Sequence, residues 1–390
     1  MNIFINAYES ISAAGFNDGL REAMFSSTRR GVSVHDDLAD RPIHFGRIND
    51  ELVLSDELLF ERYVPLKSIP LTRTDRLIGT VLARLQPTID TLKSRYGSNR
   101  LGIVLGSSVA GMLETEDYFF GGQTDDAYDD TVLEIAGPVR VVQLASGITG
   151  PAYAISTACS SSAKALASAA RLIRAGVIDA AIAGGIDGMS RFTVAGFTAL
   201  GAVSDALTLP FSANRQGINL GEGGALFILS RETNAIELAG WGETSDAHHI
   251  SSPDPTACEV IRAIDHAMQQ AQLDRVDYIN AHGTGTVLND AMESTAIYSR
   301  FGDQVPVSST KPITGHTLGG AGALEAAVAC LTLEDKVGRL PLHFYDGQPD
   351  PELPAIDLVT TPRSGLNVRS VLSHSFAFGG NNAVLILKKH

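Results

Sequence analysis

The stretch STACSSSAKALASAARLIRAGVIDAAIAGGIDG, residues 156–188, decides the fold. It reads as a turn, a helix over about 160–175 and a strand over 180–183, the passage expected where helices and strands alternate in layers. The helix is poor in bulky side chains, with Leu166, Leu172 and Ile173 set among Ala and Ser. Such a helix can be approached closely from every side, so it belongs at the centre of the molecule. Lys164, Arg171, Arg174 and Asp179 interrupt its apolar run and argue against a membrane span.

Outward from this segment the same alternation continues. LGIVLGSSV at 101–109 is a buried strand feeding a loop, and GGALFILS at 223–230 is another strand. Upstream, residues 63–85 turn from a Pro-punctuated loop into a helix and gather Lys67, Arg73 and Arg76, and a Gly- and Asp-rich loop is expected around 121–130. RETNAIELAGW then opens a second half, which divides the chain into 1–230 and 231–390. There VDYINAHGTGT (276–286) runs from strand into a Gly/Thr loop, and Asp290 with Glu293 signals a helix start. Residues 308–333 run into a second small-residue helix, and the chain ends in a strand, a Gly-containing turn and a returning strand. Buried, largely parallel sheets are the expectation, although no residue-level repeat relates the halves.

Composition narrows the function. A length of 390 residues, 44% of them apolar, can bury a large core. The net charge of −14 repels phosphate backbones, and no basic aromatic stripe offsets it, so nucleic-acid binding is excluded. An acidic partner would need a local basic patch. The opening MNIFINAYESISAAGF lacks the basic start and apolar run of a secretory signal, which predicts a cytoplasmic protein with no membrane span. Three cysteines, none in a Cys-x-x-Cys spacing, are expected to be free thiols without a metal.

Four places carry chemistry. Cys159 stands immediately before the central helix, where backbone N–H groups and the positive helix end favour a thiolate. A free cysteine is also commonly a small buried hydrophobe, so position alone leaves both readings open. His282 follows an apolar strand and precedes Gly-Thr-Gly-Thr, with the hydroxyls of Thr284 and Thr286; His316 lies in Lys311-Pro-Ile-Thr-Gly-His-Thr, ahead of Glu325. Each histidine taken singly is as consistent with structure as with function. Together with an activated cysteine they form a nucleophile and hydrogen-bond-donor set. Phe376-Ala377-Phe378-Gly379-Gly380 is either a hairpin turn with a core Phe or an oxyanion donor with a movable door.

TACSSS around Cys159, NAHGTGT around His282, the Lys311-x-x-x-x-His316 segment and the FAFGGNN tail together resemble the elongating β-ketoacyl-acyl-carrier-protein synthases. PFSANRQGINLGEGGALFIL (210–229) and WGETSDAHHISSPDP (241–255) extend the resemblance from about residue 100 to the end. It implies a thiolase-like α/β fold, a five-layered α-β-α-β-α sandwich of two similar halves. It further implies Cys159 as the nucleophile, with His282 and His316 holding a malonyl thioester carbonyl and Lys311 and Glu325 supporting the second histidine. Thr284 and Thr286 would meet a phosphopantetheine arm. Backbone N–H groups of Cys159 and Phe378 would hold an oxyanion, and Phe378 would also gate the site. Phe376, Gly379 and Phe197 are the expected substrate contacts, with Phe197 as a pocket wall.

No bound cofactor is implied, since the phosphopantetheine comes on the acyl carrier protein. That protein is one implied partner, with Lys67, Arg73 and Arg76 as its docking candidates, and the other is a second subunit in a homodimer or in a heterodimer with a chain-length factor. The departures, a poorly matching first hundred residues and Ala377 and Asn381 where Gly and Thr are common, suggest a specialised pathway such as aryl-polyene or polyketide assembly. Housekeeping fatty-acid elongation is the nearest rival. A coenzyme A-dependent thiolase or initiating synthase is disfavoured by His316, and a non-catalytic pocket-shaping subunit by Cys159.

Overall fold

The computed structural model describes residues 1–121 and 128–390, so most of the Gly/Asp-rich loop expected around 121–130 lies outside the described residues. Ten strands build the frame. The first five are β1 (Phe4–Ser12), β2 (Leu101–Gly106), β3 (Ala152–Ile155), β4 (Ala180–Asp187) and β5 (Gly223–Ser230). The second five are β6 (Ile236–Ser245), β7 (Tyr278–Asn280), β8 (Pro306–Ser308), β9 (Ser370–Ala377) and β10 (Asn381–Lys389).

Their order is β3-β2-β4-β5-β1 in one set and β8-β7-β9-β10-β6 in the other, so third, second, fourth, fifth and first strands follow one another in both. The repeat that no residue pattern revealed is therefore plain in the topology. β1 and β6 pair antiparallel at Phe4 and Glu237 and join the sets. The sheets are mixed rather than largely parallel. Three neighbouring strands in each set are parallel, whereas the fifth and first run antiparallel to their neighbours. The reason lies in the connections: β9 returns to β10 through a tight turn and cannot be parallel to it.

Six helices complete the layers. α1 (Arg73–Tyr96) and α2 (Gly137–Ser146) cover the outer face of the first sheet, and α4 (Cys258–Ala271) and α5 (Val287–Phe301) pack outside the second. Between the sheets lie α3 (Ser161–Arg174) and α6 (Ala321–Glu334), each touching strands of both sheets as well as the other. Every residue of α6 from Ala321 to Leu333 is buried. The small side chains are what permit this, because a Cβ added at Gly322 would sit 2.7 Å from Ala163 Cβ and 2.8 Å from its backbone nitrogen. Among the described residues no helix is long and apolar enough to cross a membrane.

Candidate active site

The frame brings four strand ends to one place. α3 begins at Ser161, one residue later than the sequence suggested, so Cys159 lies in the turn before it. That turn is tight: Ala158 takes a left-handed φ of 50°, and the Ser160 and Ser161 hydroxyls bond back to the carbonyls of Thr157 and Ala158. The thiol is thereby fixed and buried, with 6% of the residue exposed.

His316 sits at the matching junction of the second half. A single helical turn, Lys311–Thr314, is ended by Gly315 at φ 71°, and the chain then passes into α6. His316 Nε2 lies 3.0 Å from Cys159 Sγ, while its Nδ1 has no partner among the described residues. The His282 ring stands nearly perpendicular to the His316 ring, with centroids 5.2 Å apart. Thus the structure brings Cys159, His282 and His316 together from sequence positions up to 157 residues apart.

Behind them stands a buried ion pair. The Lys311 ammonium contacts Glu325, donates to the His282 carbonyl and lies 3.3 Å from His282 Nδ1. This corrects the expectation that Lys311 and Glu325 support the second histidine: Lys311 hydrogen-bonds the first, and Glu325 holds Lys311. From the short helix at 311–314 the Lys311 ammonium reaches the loop after β7, and its charge is also felt by His316. An ammonium has only protons to offer, so it fixes His282 Nδ1 as an acceptor and leaves Nε2 to carry the ring proton. His316 has no such constraint on its Nδ1.

Electrostatics also correct the reading of the thiol. Burial is the largest influence on Cys159, and its pKa is pushed up to about 12, with Lys311 opposing and Glu325 adding to the rise. It is not a resting thiolate. Burial, reinforced by Lys311, holds both histidines well below 6.5, so both are neutral at physiological pH. Burial raises Glu325 to about 7 against the pull of Lys311.

The cluster opens into a cavity of about 340 Å³. Cys159, His282 and His316 lie in its wall together with Thr284, Thr286 and Phe376. The two threonine hydroxyls are 2.9 Å apart. Gly285 between them adopts φ 77°, and a Cβ there would strike Thr208 Oγ1. Phe197 and Phe378 also line the cavity, their rings stacked with centroids 5.7 Å apart and 22° between planes. Phe378 is 37% exposed, at the turn where Gly379 takes φ 79°. Gly379 is not in the cavity wall; its N–H instead bonds to the Ile250 carbonyl.

The Cys159, His282 and His316 ligand atoms lie within 4.8 Å of one another, which makes them a chemically competent soft-metal donor set. The Lys311 ammonium against His282 would set a positive charge beside such an ion. The same ammonium suits a site where negative charge develops.

Of the three expected docking cations only Lys67 is exposed. Arg73 forms a two-point pair with Glu222 at 2.8 and 3.2 Å and reaches Asp50, and Arg76 pairs with Asp56 at 2.7 Å. Both are half-buried and their charges are satisfied within the chain, so they are not free surface cations.

Sequence reasoning missed a buried carboxylate layer beneath the loops. Glu293, read only as a helix-start signal, accepts hydrogen bonds from the backbone of His282 and Gly283, both at 2.7 Å. Asp290 accepts from Phe211 N at 2.7 Å and Gly285 N at 3.2 Å. Asp187, at the end of β4, binds both Ser107 and Ser108 and also Gly319 N, tying the loop after β2 to the approach to α6. An acid ending an otherwise apolar strand was the available signal.

Models of the N-terminal and C-terminal domains of β-ketoacyl synthase match residues 89–235 and 235–344. The chain belongs to the β-ketoacyl synthase family. This synthase is 33% identical over 358 residues to 3-oxoacyl-[acyl-carrier-protein] synthase 2 of Synechocystis sp., covering 82% of each chain. It is 33% identical over 317 residues to the enzyme of the same name from Coxiella burnetii, covering 74% of this chain and 75% of that one. Among solved structures it resembles the complex of a ketosynthase (ApeO) with its chain length factor (ApeC) from Xenorhabdus doucetiae. The TM-score is 0.92 at 37% identity, with 100% of this chain and 98% of that one covered. A β-ketoacyl synthase from Burkholderia phymatum matches at TM-score 0.84 and 26% identity, over 100% of this chain and 99% of that one. The five-layered, two-half fold of this synthase is the family's.

Proposed function

We propose that this β-ketoacyl synthase extends an acyl chain held on Cys159 by decarboxylative Claisen condensation with malonyl-acyl carrier protein. The products are a 3-oxoacyl-acyl carrier protein two carbons longer and carbon dioxide. The observation that carries the assignment is the 3.0 Å approach of His316 Nε2 to Cys159 Sγ inside a cavity that His282 also lines.

The thiol is not ionised at rest, so it needs a proton acceptor when the acyl thioester arrives. His316 Nε2 is placed to take that proton, and the departing carrier thiol receives it. Backbone N–H groups of Cys159 and Phe378 hold the oxyanion of the tetrahedral intermediate in this reading. Malonyl-carrier protein then enters, with Thr284 and Thr286 meeting its phosphopantetheine arm and Phe376 packing beside it. The locked Nε2–H of His282 donates to the thioester oxygen as carbon dioxide leaves, and His316, whose Nδ1 is held by no partner among the described residues, changes tautomer to donate from Nε2 beside it. The carbanion attacks the acyl-enzyme, the C–S bond breaks, and the Cys159 thiolate takes up one proton.

Phe378 stacked on Phe197 serves as the door. The phosphopantetheine comes with the carrier protein, and Lys67 remains a candidate for meeting it. The similarity to a ketosynthase solved with its chain length factor supports a heterodimer of that kind and a specialised, aryl-polyene or polyketide-like pathway. Residence in the cytoplasm and the division into 1–230 and 231–390 belong to the same reading. Residues 231–235 fall between the last strand of the first set and the first strand of the second.

Intact-mass analysis after incubation with acyl-carrier protein tests it. Wild type gains the acyl mass and Cys159→Ala does not. Equal labelling of both removes Cys159 as nucleophile.

A further inference from the structure

His374 has no place in the chemistry above, yet it is wholly buried beside it. Its Nδ1 lies 2.9 Å from Glu293 Oε1, and both side chains are fully excluded from solvent. Glu293 is a crowded acceptor: Oε1 also takes the His282 N–H, while Oε2 takes the Gly283 N–H at 2.7 Å and the Asn289 amide at 3.3 Å. Since both Glu293 oxygens already accept backbone N–H groups, His374 Nδ1 is the donor in this pair. The other ring nitrogen, Nε2, has no partner among the described residues.

The ring makes a second link. It packs 5.0 Å from Phe376, whose far side meets the His282 ring at 5.9 Å. His374 therefore touches the His282 station twice, once through Glu293 to the backbone and once through Phe376 to the imidazole. We infer that His374 is a positioning residue for decarboxylation: by orienting Glu293 and wedging Phe376, it holds the His282 N–H donor at the place where the malonyl thioester oxygen develops charge. Among the described residues the Cys159 turn is held instead by Thr157, Ser160 and Ser161. Disturbing His374 should accordingly separate the two half-reactions, which simple structural damage would not do. This rests on the role proposed for His282.

Two substitutions discriminate. His374→Phe keeps the ring and its packing but loses the donor, whereas His374→Asn offers an amide N–H near the Nδ1 position. For His374→Phe the expected result is a fall in kcat for malonyl decarboxylation of about 10- to 100-fold, the range seen when an orienting partner is lost. The KM for malonyl-carrier protein and the acylation of Cys159 by intact mass should stay within about twofold of wild type. His374→Asn should recover most of the rate. Should His374→Phe fold poorly, amide hydrogen exchange in His374→Asn and wild type still reads the link: 282–283 stay protected in both, and lose protection in Glu293→Gln while α3 does not. Parallel loss of acylation and decarboxylation, or unchanged decarboxylation in His374→Phe, overturns the inference. His282→Ala is the control: if it leaves decarboxylation intact, the role of His282 fails rather than that of His374.

Discussion

The turn from β3 into α3 and the turn from β8 into α6 hold the same topological place in the two halves, and they meet at the 3.0 Å contact between Cys159 and His316. They are held in different ways. The cysteine turn is neutral, fixed by hydroxyls bonding to their own backbone and by the left-handed Ala158. The histidine turn is backed by the buried Lys311 and Glu325 pair. A neutral turn leaves a thiol silent until a base meets it, whereas a buried cation keeps imidazoles neutral and meets negative charge as it forms. The two halves offer topologically equivalent positions, and in the proposed mechanism side-chain chemistry makes one a nucleophile and the other a donor.

The difference is sharpest if the ion pair is broken. Lys311→Met leaves Glu325 buried without its cation, at a cost of about 3–5 kcal/mol in stability, and removes the donor that fixes the His282 tautomer. Adding Glu325→Gln should restore much of the thermal midpoint but not malonyl decarboxylation. If decarboxylation returns with stability, the pair is a structural prop and the comparison collapses. His316→Ala comes next. It should lower condensation by about 10²–10³-fold, the loss typical of one donor to a developing oxyanion. Acyl loading, followed by mass, should be slowed but still reach completion, and unchanged condensation would refute the donor role.

How much of this was legible beforehand depended on the kind of signal. Local composition gave the central helix and the strand before Ser230, because small-residue helices and apolar strands are readable one segment at a time. The pattern Lys311-x-x-x-x-His316 named residues that do share one buried cluster, but it could not show that Lys311 bonds to His282, since spacing does not reveal how Gly315 turns the chain between them. Arg73 and Arg76 looked like surface charge only because Glu222 and Asp56 are remote in sequence from one or both of them. The same holds for Glu293 and His374, 81 residues apart. Cys159 differs for another reason: helix-end reasoning on the sequence leaves out burial, which raises the thiol pKa.

Between the two turns, the α3 and α6 contact offers a gentler test. Gly322→Ala places a methyl 2.9 Å from Ser375 Oγ and closer still to Ala163, so the helices must part by some tenths of an ångström. Overpacking of this kind costs about 1–3 kcal/mol. Chemical denaturation should show it, together with slower acyl loading if helix separation carries through to the Cys159 and His316 contact. Full stability would mean that the centre of the sandwich yields more readily than its small residues suggest.

The last effect concerns protons and is read as a slope with pH. Burial raises Glu325 from 4.5 to about 7, so the folded protein keeps a proton there that the unfolded chain has released above pH 4.5. The sign follows: this group's contribution is complete below pH 4.5 and is lost as pH rises toward 7, at roughly 1 kcal/mol per pH unit. His282 and His316 act in the opposite sense, being lowered from 6.5, so their contribution is complete above that value and declines on acidification. Subtracting Glu325→Gln from wild type isolates the carboxyl, because the histidines are common to both. The variant should gain on wild type as pH rises from 4.5 to 7, read from the difference in denaturation midpoints. A constant difference across that window would mean that Lys311 keeps Glu325 ionised throughout, and that the histidine turn carries a full ion pair where the cysteine turn carries none.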